Sequence, residues 1–104
     1  MEVSKILNSI KSELIKKFPN EIEELWLFGS HARNEQTEAS DVDIMIVHNS
    51  RLNWYDDLLP VTSDICYDIY NMHDVYCSFI STDSESFSEF RPLFNTIKRE
   101  GLRL

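Results

Sequence analysis

Two short apolar runs, residues 24–28 and 42–47, constrain the fold of this chain more than any other feature. Leu25-Trp26-Leu27-Phe28 stops at Gly29, and Ile44-Met45-Ile46-Val47 follows the acidic Asp41-Val42-Asp43. Each run is too short for a helix of ordinary length and is built of residues that suit a pleated, half-buried surface, so each predicts a buried strand. A buried strand needs other elements to cover it, and 104 residues supply one core rather than two. The chain is expected to be one domain, residues 1–104.

The covering elements are legible on either side. Val3, Ile6, Leu7, Ile10, Leu14 and Ile15 recur at helical spacing with lysines on the other faces, which predicts an amphipathic helix over residues 2–17, ended by Pro19 and Asn20. Leu58, Val61, Ile65, Ile69 and Met72 mark a second helix face within residues 54–70. Pro60 either bends that helix or makes residues 54–59 a separate turn with the proline early in the main helix. Residues 75–80 form the third strand candidate, the Ser/Thr/Asp/Glu stretch from Ser81 begins a helix to about Phe90, and residues 94–99 add a turn or two before Gly101. This order predicts an α/β (α+β) fold, a small mixed sheet of three to four strands packed on helices.

Charge and composition narrow the function classes. A formal charge of -8 argues against a protein that coats nucleic acid through a basic face, and residues 35–89 hold one basic side chain against twelve acidic ones. The basic end, Lys98, Arg99 and Arg103, reads as a solvated tail. No apolar run reaches the length of a membrane span, and the N-terminus lacks the pattern of a leader, so a cytoplasmic protein is expected. Cys66 and Cys77 read as buried free thiols. His31, His48 and His73 share no metal-ligand spacing and read as surface or structural residues, although His31 stands where a ligand would pass. Trp26 and Phe28 read as core, and Trp54, Tyr55, Tyr67 and Tyr70 as packing residues or a stacking surface.

With only two glycines in the chain, each needs a reason. Gly101 reads as a helix stop. Gly29, directly after a strand, permits a tight turn and a close backbone approach to a ligand. Ser30 then stands where a helical turn begins, with a hydroxyl and N–H groups suited to phosphate, although a plain capped turn would look the same. Asp41 and Asp43 weigh against the plain turn. Positions i and i+2 of a strand face one way, on the order of 6–7 Å apart, and two bare carboxylates there repel by roughly 2–3 kcal/mol at an effective dielectric near 20. A divalent cation removes that cost. Mg²⁺ fits, because it takes one or two protein carboxylates and fills its octahedron with water and phosphate oxygens.

The pattern Gly29-Ser30-x-Ala32-Arg33, then Ser40-Asp41-x-Asp43 with Val47 after it, resembles the signature of the DNA polymerase beta superfamily, and the length matches its minimal nucleotidyltransferases. The resemblance implies a nucleotidyltransferase fold in which Gly29, Ser30, Arg33 and Ser40 contact the nucleotide and Asp41 and Asp43 coordinate Mg²⁺. It implies transfer of a nucleoside monophosphate, AMP from ATP, to a hydroxyl acceptor. Similar minimal members pair with helical HEPN-type proteins as antitoxins, which makes a partner protein of a toxin-antitoxin pair the implied acceptor. A non-catalytic module that neutralises such a partner by contact is the alternative, and self-association stays open. Two departures stand out. Asn34 replaces a glycine after Arg33, and the third carboxylate of active members is missing from the strand over residues 75–81, leaving Asp74 as the catalytic substitute, with Asp68 behind it.

Overall fold

A computed structural model gives the structure of the protein and describes residues 3–37 and 41–104. Helix α1 (Val3–Lys17) buries Ile6, Ile10 and Leu14, the predicted stripe, and leaves Ile15 at its margin. Strands β1 (Ile22–Phe28) and β2 (Val42–His48) follow and pair antiparallel, with a bulge between Ile22 and Glu24 that lets β1 start two residues earlier than its apolar run suggests. A π-helical turn, Trp54–Leu58, then leads into α2 (Leu59–His73), which carries Pro60 in its first turn. Of the two readings of Pro60, the separate turn is the one observed. Asn53 caps that turn, its side chain accepting from the N–H groups of Tyr55 and Asp56 at 2.9 and 3.1 Å.

The face of α2 is not quite the one the periodicity draws. Ile65 and Ile69 are buried, but Met72 is 76% exposed, and Thr62, polar, is 2% exposed. Its hydroxyl donates to the carbonyls of Leu58 and Leu59 at 2.9 and 3.2 Å, which satisfies the group and makes burial cheap.

Strand β3 (Cys77–Asp83) starts two residues later than expected and runs on through Ser81, Thr82 and Asp83, which the sequence reading gave to a helix. These three pair parallel with Ile46, Val47 and His48, and the ladder outweighs the low strand propensity of Asp83. The helix that follows shrinks to α3 (Ser84–Phe87), capped by Asp83, whose side chain accepts from Ser86 N–H at 3.2 Å. Helix α4 (Pro92–Glu100) follows, and the supposed solvated tail is strand β4 (Leu102–Arg103), antiparallel to Trp26 and Leu27 of β1. Gly101 does more than stop α4. A Cβ there would stand 2.5 Å from the Ile97 carbonyl and 3.0 Å from that of Leu27, so the bare backbone is what lets β4 dock.

The sheet order is β3-β2-β1-β4. On one face α1 and α2 pack on Leu25, Leu27, Val42, Ile44 and Ile46; on the other α3 and α4 cover Met45 and Val47 with Phe87, Phe94 and Ile97. Trp26 and Phe28 lie against that second cluster, half-buried as core residues. Covering both faces of β2 explains its near-continuous apolar run. Among the described residues no helix is long and apolar enough to cross a membrane. The topology brings the end of β1 and the starts of β2 and β3 to one end of the sheet, and the acidic pair lies there.

Candidate active site

Gly29 leaves β1 at φ +76, a left-handed conformation that glycine adopts without penalty. The carbonyl of Gly29 accepts from the N–H groups of Ala32 and Arg33 at 3.1 and 3.2 Å, and Glu35 N–H closes on Ser30 at 2.9 Å, so residues 29–35 form the helical turn expected after the strand. Asn34 sits at φ 57, the backbone position for which the substituted glycine would serve, and asparagine tolerates it. Phe28 is the register partner of Asp43. That pairing sets Gly29 against the Asp43 carboxylate so closely that a Cβ on residue 29 would overlap Oδ2 and lie 3.3 Å from Cγ.

The structure thus places the glycine turn and the acidic pair against each other. Asp41 is exposed and Asp43 half-buried. Burial, and then the charge of Asp41, push the Asp43 carboxyl above its ordinary range, while His31 and Arg33 pull it back. His31 is 7% exposed, so its ring is packed beside Asp43 rather than presented to solvent. Arg33 reaches Glu35 at 3.0 Å and Glu100 at 3.8 Å, which makes it a surface ion pair in this state, close enough to Asp43 to be felt there. Ser40, assigned to the nucleotide by the motif, lies outside the described residues.

The third carboxylate is not on β3. The residue beside Asp43 in the ladder is Ser78, preceded by Cys77 beside Val42. Asp74 caps α2 at φ 56, and its charge reaches Tyr76, as does that of Asp41, so it belongs to the same end of the sheet. Asp68 instead lines a cavity with Glu13 and Lys17 on the α1 side. Among the described residues no three His, Cys, Asp or Glu side chains gather into a group that could hold a metal ion.

Cys66 and Cys77, read as buried free thiols, are free but half-buried. Cys66 donates through Sγ to the Cys77 carbonyl at 3.4 Å, and burial, with added repulsion from Cys66, Asp41 and Asp43, pushes the Cys77 thiol up to about 12. Both cysteines are free, and Cys77 stays a protonated, inert thiol. The proposed aromatic surface is dispersed. Trp54 packs on the core, Tyr55 and Tyr67 stand exposed, and Tyr70 pairs with Tyr76 at 4.9 Å between ring centroids.

The donor set is hard oxygen, two like charges side by side, against a backbone stripped of its Cβ. Those are the requirements of a divalent cation and a phosphate approaching it. Gly29→Ala tests the arrangement. Left-handed φ costs an L-residue about 1–2 kcal/mol, and the added methyl must push Asp43 aside as well. We expect a thermal melt lowered by an amount of that order and Mg²⁺-nucleotide affinity reduced about tenfold or more by calorimetry; unchanged affinity would show that the apposition serves no ligand.

A family model described as a nucleotidyltransferase domain matches residues 7–92. The chain is 37% identical over 73 residues to MJ0126 of Methanocaldococcus jannaschii, named as a candidate protein adenylyltransferase; the match spans 62% of this chain and 72% of that protein. Among solved structures it superposes with a TM-score of 0.64 on a candidate nucleotidyltransferase from Sulfolobus solfataricus, at 23% identity, covering 95% of this chain and 76% of that one. It also superposes with a TM-score of 0.64 on a toxin-antitoxin crystallised with AMP-PNP, at 19% identity, covering 92% and 69%. At these identities the two structures speak for the fold. The family model spans most of the chain, including the glycine turn and the acidic pair, and the chain belongs to the nucleotidyltransferase domain family.

Proposed function

We propose that this chain binds a nucleoside triphosphate with Mg²⁺ and transfers AMP from ATP to a hydroxyl on a partner protein of the HEPN helical type. The observation that carries the reading is the apposition of Gly29 to Asp43, with Asp41 beside it. Support for AMP and for a protein acceptor comes from the relative named as a candidate protein adenylyltransferase and from the toxin-antitoxin neighbour crystallised with AMP-PNP.

In this reading Asp41 and Asp43 would hold Mg²⁺, and the ion, when bound, would supply positive charge against the phosphates. The residue 29–35 turn, opened by Gly29 and Ser30, cradles the phosphates, and Arg33 exchanges Glu35 for a phosphate oxygen. The acceptor oxygen bonds to the α-phosphorus, the bond to the bridging oxygen of the β-phosphate breaks, and pyrophosphate leaves with that electron pair. The hydroxyl proton goes to Asp74, a carboxylate at this end of the sheet.

Ser78 favours a second reading, because the position beside Asp43 carries no acid. The same site would then hold Mg²⁺-nucleotide without transfer, and neutralise the partner by contact. Calorimetry and labelling separate the two. ATP is expected to bind in the presence of Mg²⁺ with a Kd of about 0.1 mM or tighter, and label from α-³²P-ATP should appear on a HEPN-type protein incubated with the chain. Binding without label selects the contact reading, and no binding at millimolar ATP overturns both.

A further inference from the structure

Tyr76 is the residue just before β3, and its carbonyl accepts from the Val42 N–H at 2.9 Å. With Val42 beside Cys77 in the ladder, the pair one step back is Asp41 and Tyr76. The Tyr76 side chain is 62% exposed, its ring lies 4.9 Å from that of Tyr70, and its hydroxyl is hydrogen-bonded to the Tyr70 phenol. The charges of Asp74 and Asp41 both reach it. A phenol thus stands near both the residue read as the base and one of the two read as metal ligands.

The order of elements across this end of the sheet sets the side from which an acceptor comes. The residue 29–35 turn follows β1, Asp41 and Asp43 lie at the start of β2, and Tyr76 precedes β3, which flanks β2 on the side away from β1. In an in-line displacement the attacking oxygen enters opposite the leaving one. With the pyrophosphate in the glycine turn on the β1 side, the attacking hydroxyl enters from the β3 side, and Tyr76 brings a hydroxyl there. Neighbouring strands lie about 4.8 Å apart, less than a tyrosine side chain is long. An exposed side chain changes rotamer readily, so the phenol is free to leave Tyr70 and turn toward a phosphate held at Asp41 and Asp43. Ser78 also carries a hydroxyl, but serine reaches one atom past its Cβ and stays in the row of Asp43, where the metal is read.

We infer that the chain transfers AMP to its own Tyr76, which rests on the transfer reading and gives it a second acceptor. The Tyr76 Oη bonds to the α-phosphorus of ATP, the bond to the bridging oxygen of the β-phosphate breaks, and pyrophosphate leaves with that electron pair. The phenolic proton passes to Asp74, two residues earlier in the chain. The product is a phosphodiester joining Tyr76 to the 5′ carbon of adenosine. Joined there, the nucleotide fills the side from which any other acceptor enters, so the modification stops at a single AMP per chain and lowers transfer to a partner.

The chain incubated alone with α-³²P-ATP and Mg²⁺ tests this by label and by intact mass. A gain of a single AMP per chain is expected, mapped to Tyr76 by fragmentation, at a rate per chain that does not change with protein concentration. Tyr76→Phe keeps the ring against Tyr70 and should lower self-labelling about a hundredfold or more at an unchanged melting temperature. Tyr70→Phe releases the Tyr76 hydroxyl and should leave labelling at the parent's rate or above it. Label that maps to Ser78, Tyr70 or any residue other than Tyr76 overturns the inference. So does a rate per chain that rises with protein concentration, the mark of transfer between copies. If Tyr76→Phe melts lower, the mapped residue and the rate order in the parent decide alone. Parallel reactions with a HEPN-type protein separate the two readings. Label on that protein with none on the chain removes self-transfer and keeps the transfer reading; label on the chain alone keeps self-transfer and removes the partner as acceptor; label on neither removes both.

Discussion

Replacing Asp41 and Asp43 together by asparagine will abolish transfer and, in the absence of metal, leave a more stable protein. The functional loss follows from the charge the pair supplies. A metal ion clamped on transferring phosphate contributes several kcal/mol, and at about 1.4 kcal/mol per factor of ten that is a loss of about a thousandfold or more. The gain in stability follows from the raised pKa of Asp43, caused first by burial and then by Asp41. A carboxyl whose pKa is higher in the folded chain binds its proton more tightly there than in the unfolded chain. Ionising it at neutral pH therefore costs the fold, and the cost fades as pH falls through the folded value. The asparagines carry no such cost and keep the shape that packs against Gly29. Melting in EDTA at pH 7 should put the variant at or above the parent, and Mg²⁺ with ATP should raise only the parent. Transfer within tenfold of the parent, or a variant less stable in EDTA, would sink this account of the site.

The site was legible because its parts are local. Gly29 and Ser30 directly follow a run that is plainly a strand, and Asp41 and Asp43 open another, so their placement at strand ends follows from the sequence and their meeting needs only that β1 and β2 pair. Helix α1 was legible for the same reason, its stripe written within its own turns. What escaped depends on pairing between distant residues. Nothing in the polar Ser81-Thr82-Asp83 announces a strand; the parallel ladder to Ile46, Val47 and His48 makes it one. Leu102 and Arg103 become β4 only because Gly101 lets the backbone approach Leu27. The same holds inside the site. That Ser78 rather than an acid stands beside Asp43 is a matter of register, and register between parallel strands is carried by no short motif. The exchange of Met72 for Thr62 on α2 has a local cause that periodicity does not see, a hydroxyl that satisfies itself on the preceding turn.

The second large effect is in the core that holds this register. Ile44 is fully buried in the middle of the sheet, with Leu27 beside it on β1 and Phe79 on β3, one residue from Asp43. Truncating such a residue to alanine removes its transfer energy and leaves a cavity that neighbours fill only in part, at a cost of about 2–5 kcal/mol. A domain of this size commands about 5–15 kcal/mol in all, so Ile44→Ala consumes a large share, and the melting temperature should fall by roughly 10–30 °C. Ile44→Val, which removes one methylene, should cost about 0.5–1.5 kcal/mol. Ile15→Ala, on the rim of α1 at 37% exposure, should cost well under about 1 kcal/mol. The ordering carries the argument. Because β2 takes cover from helices on both faces, its side chains have no solvent to relax into, and the strand that presents Asp43 is fixed by packing rather than by the ligand. An Ile44→Ala protein that melts within a few degrees of the parent would mean that β2 is not held this way, and that Asp41 and Asp43 owe their position to the bound nucleotide instead.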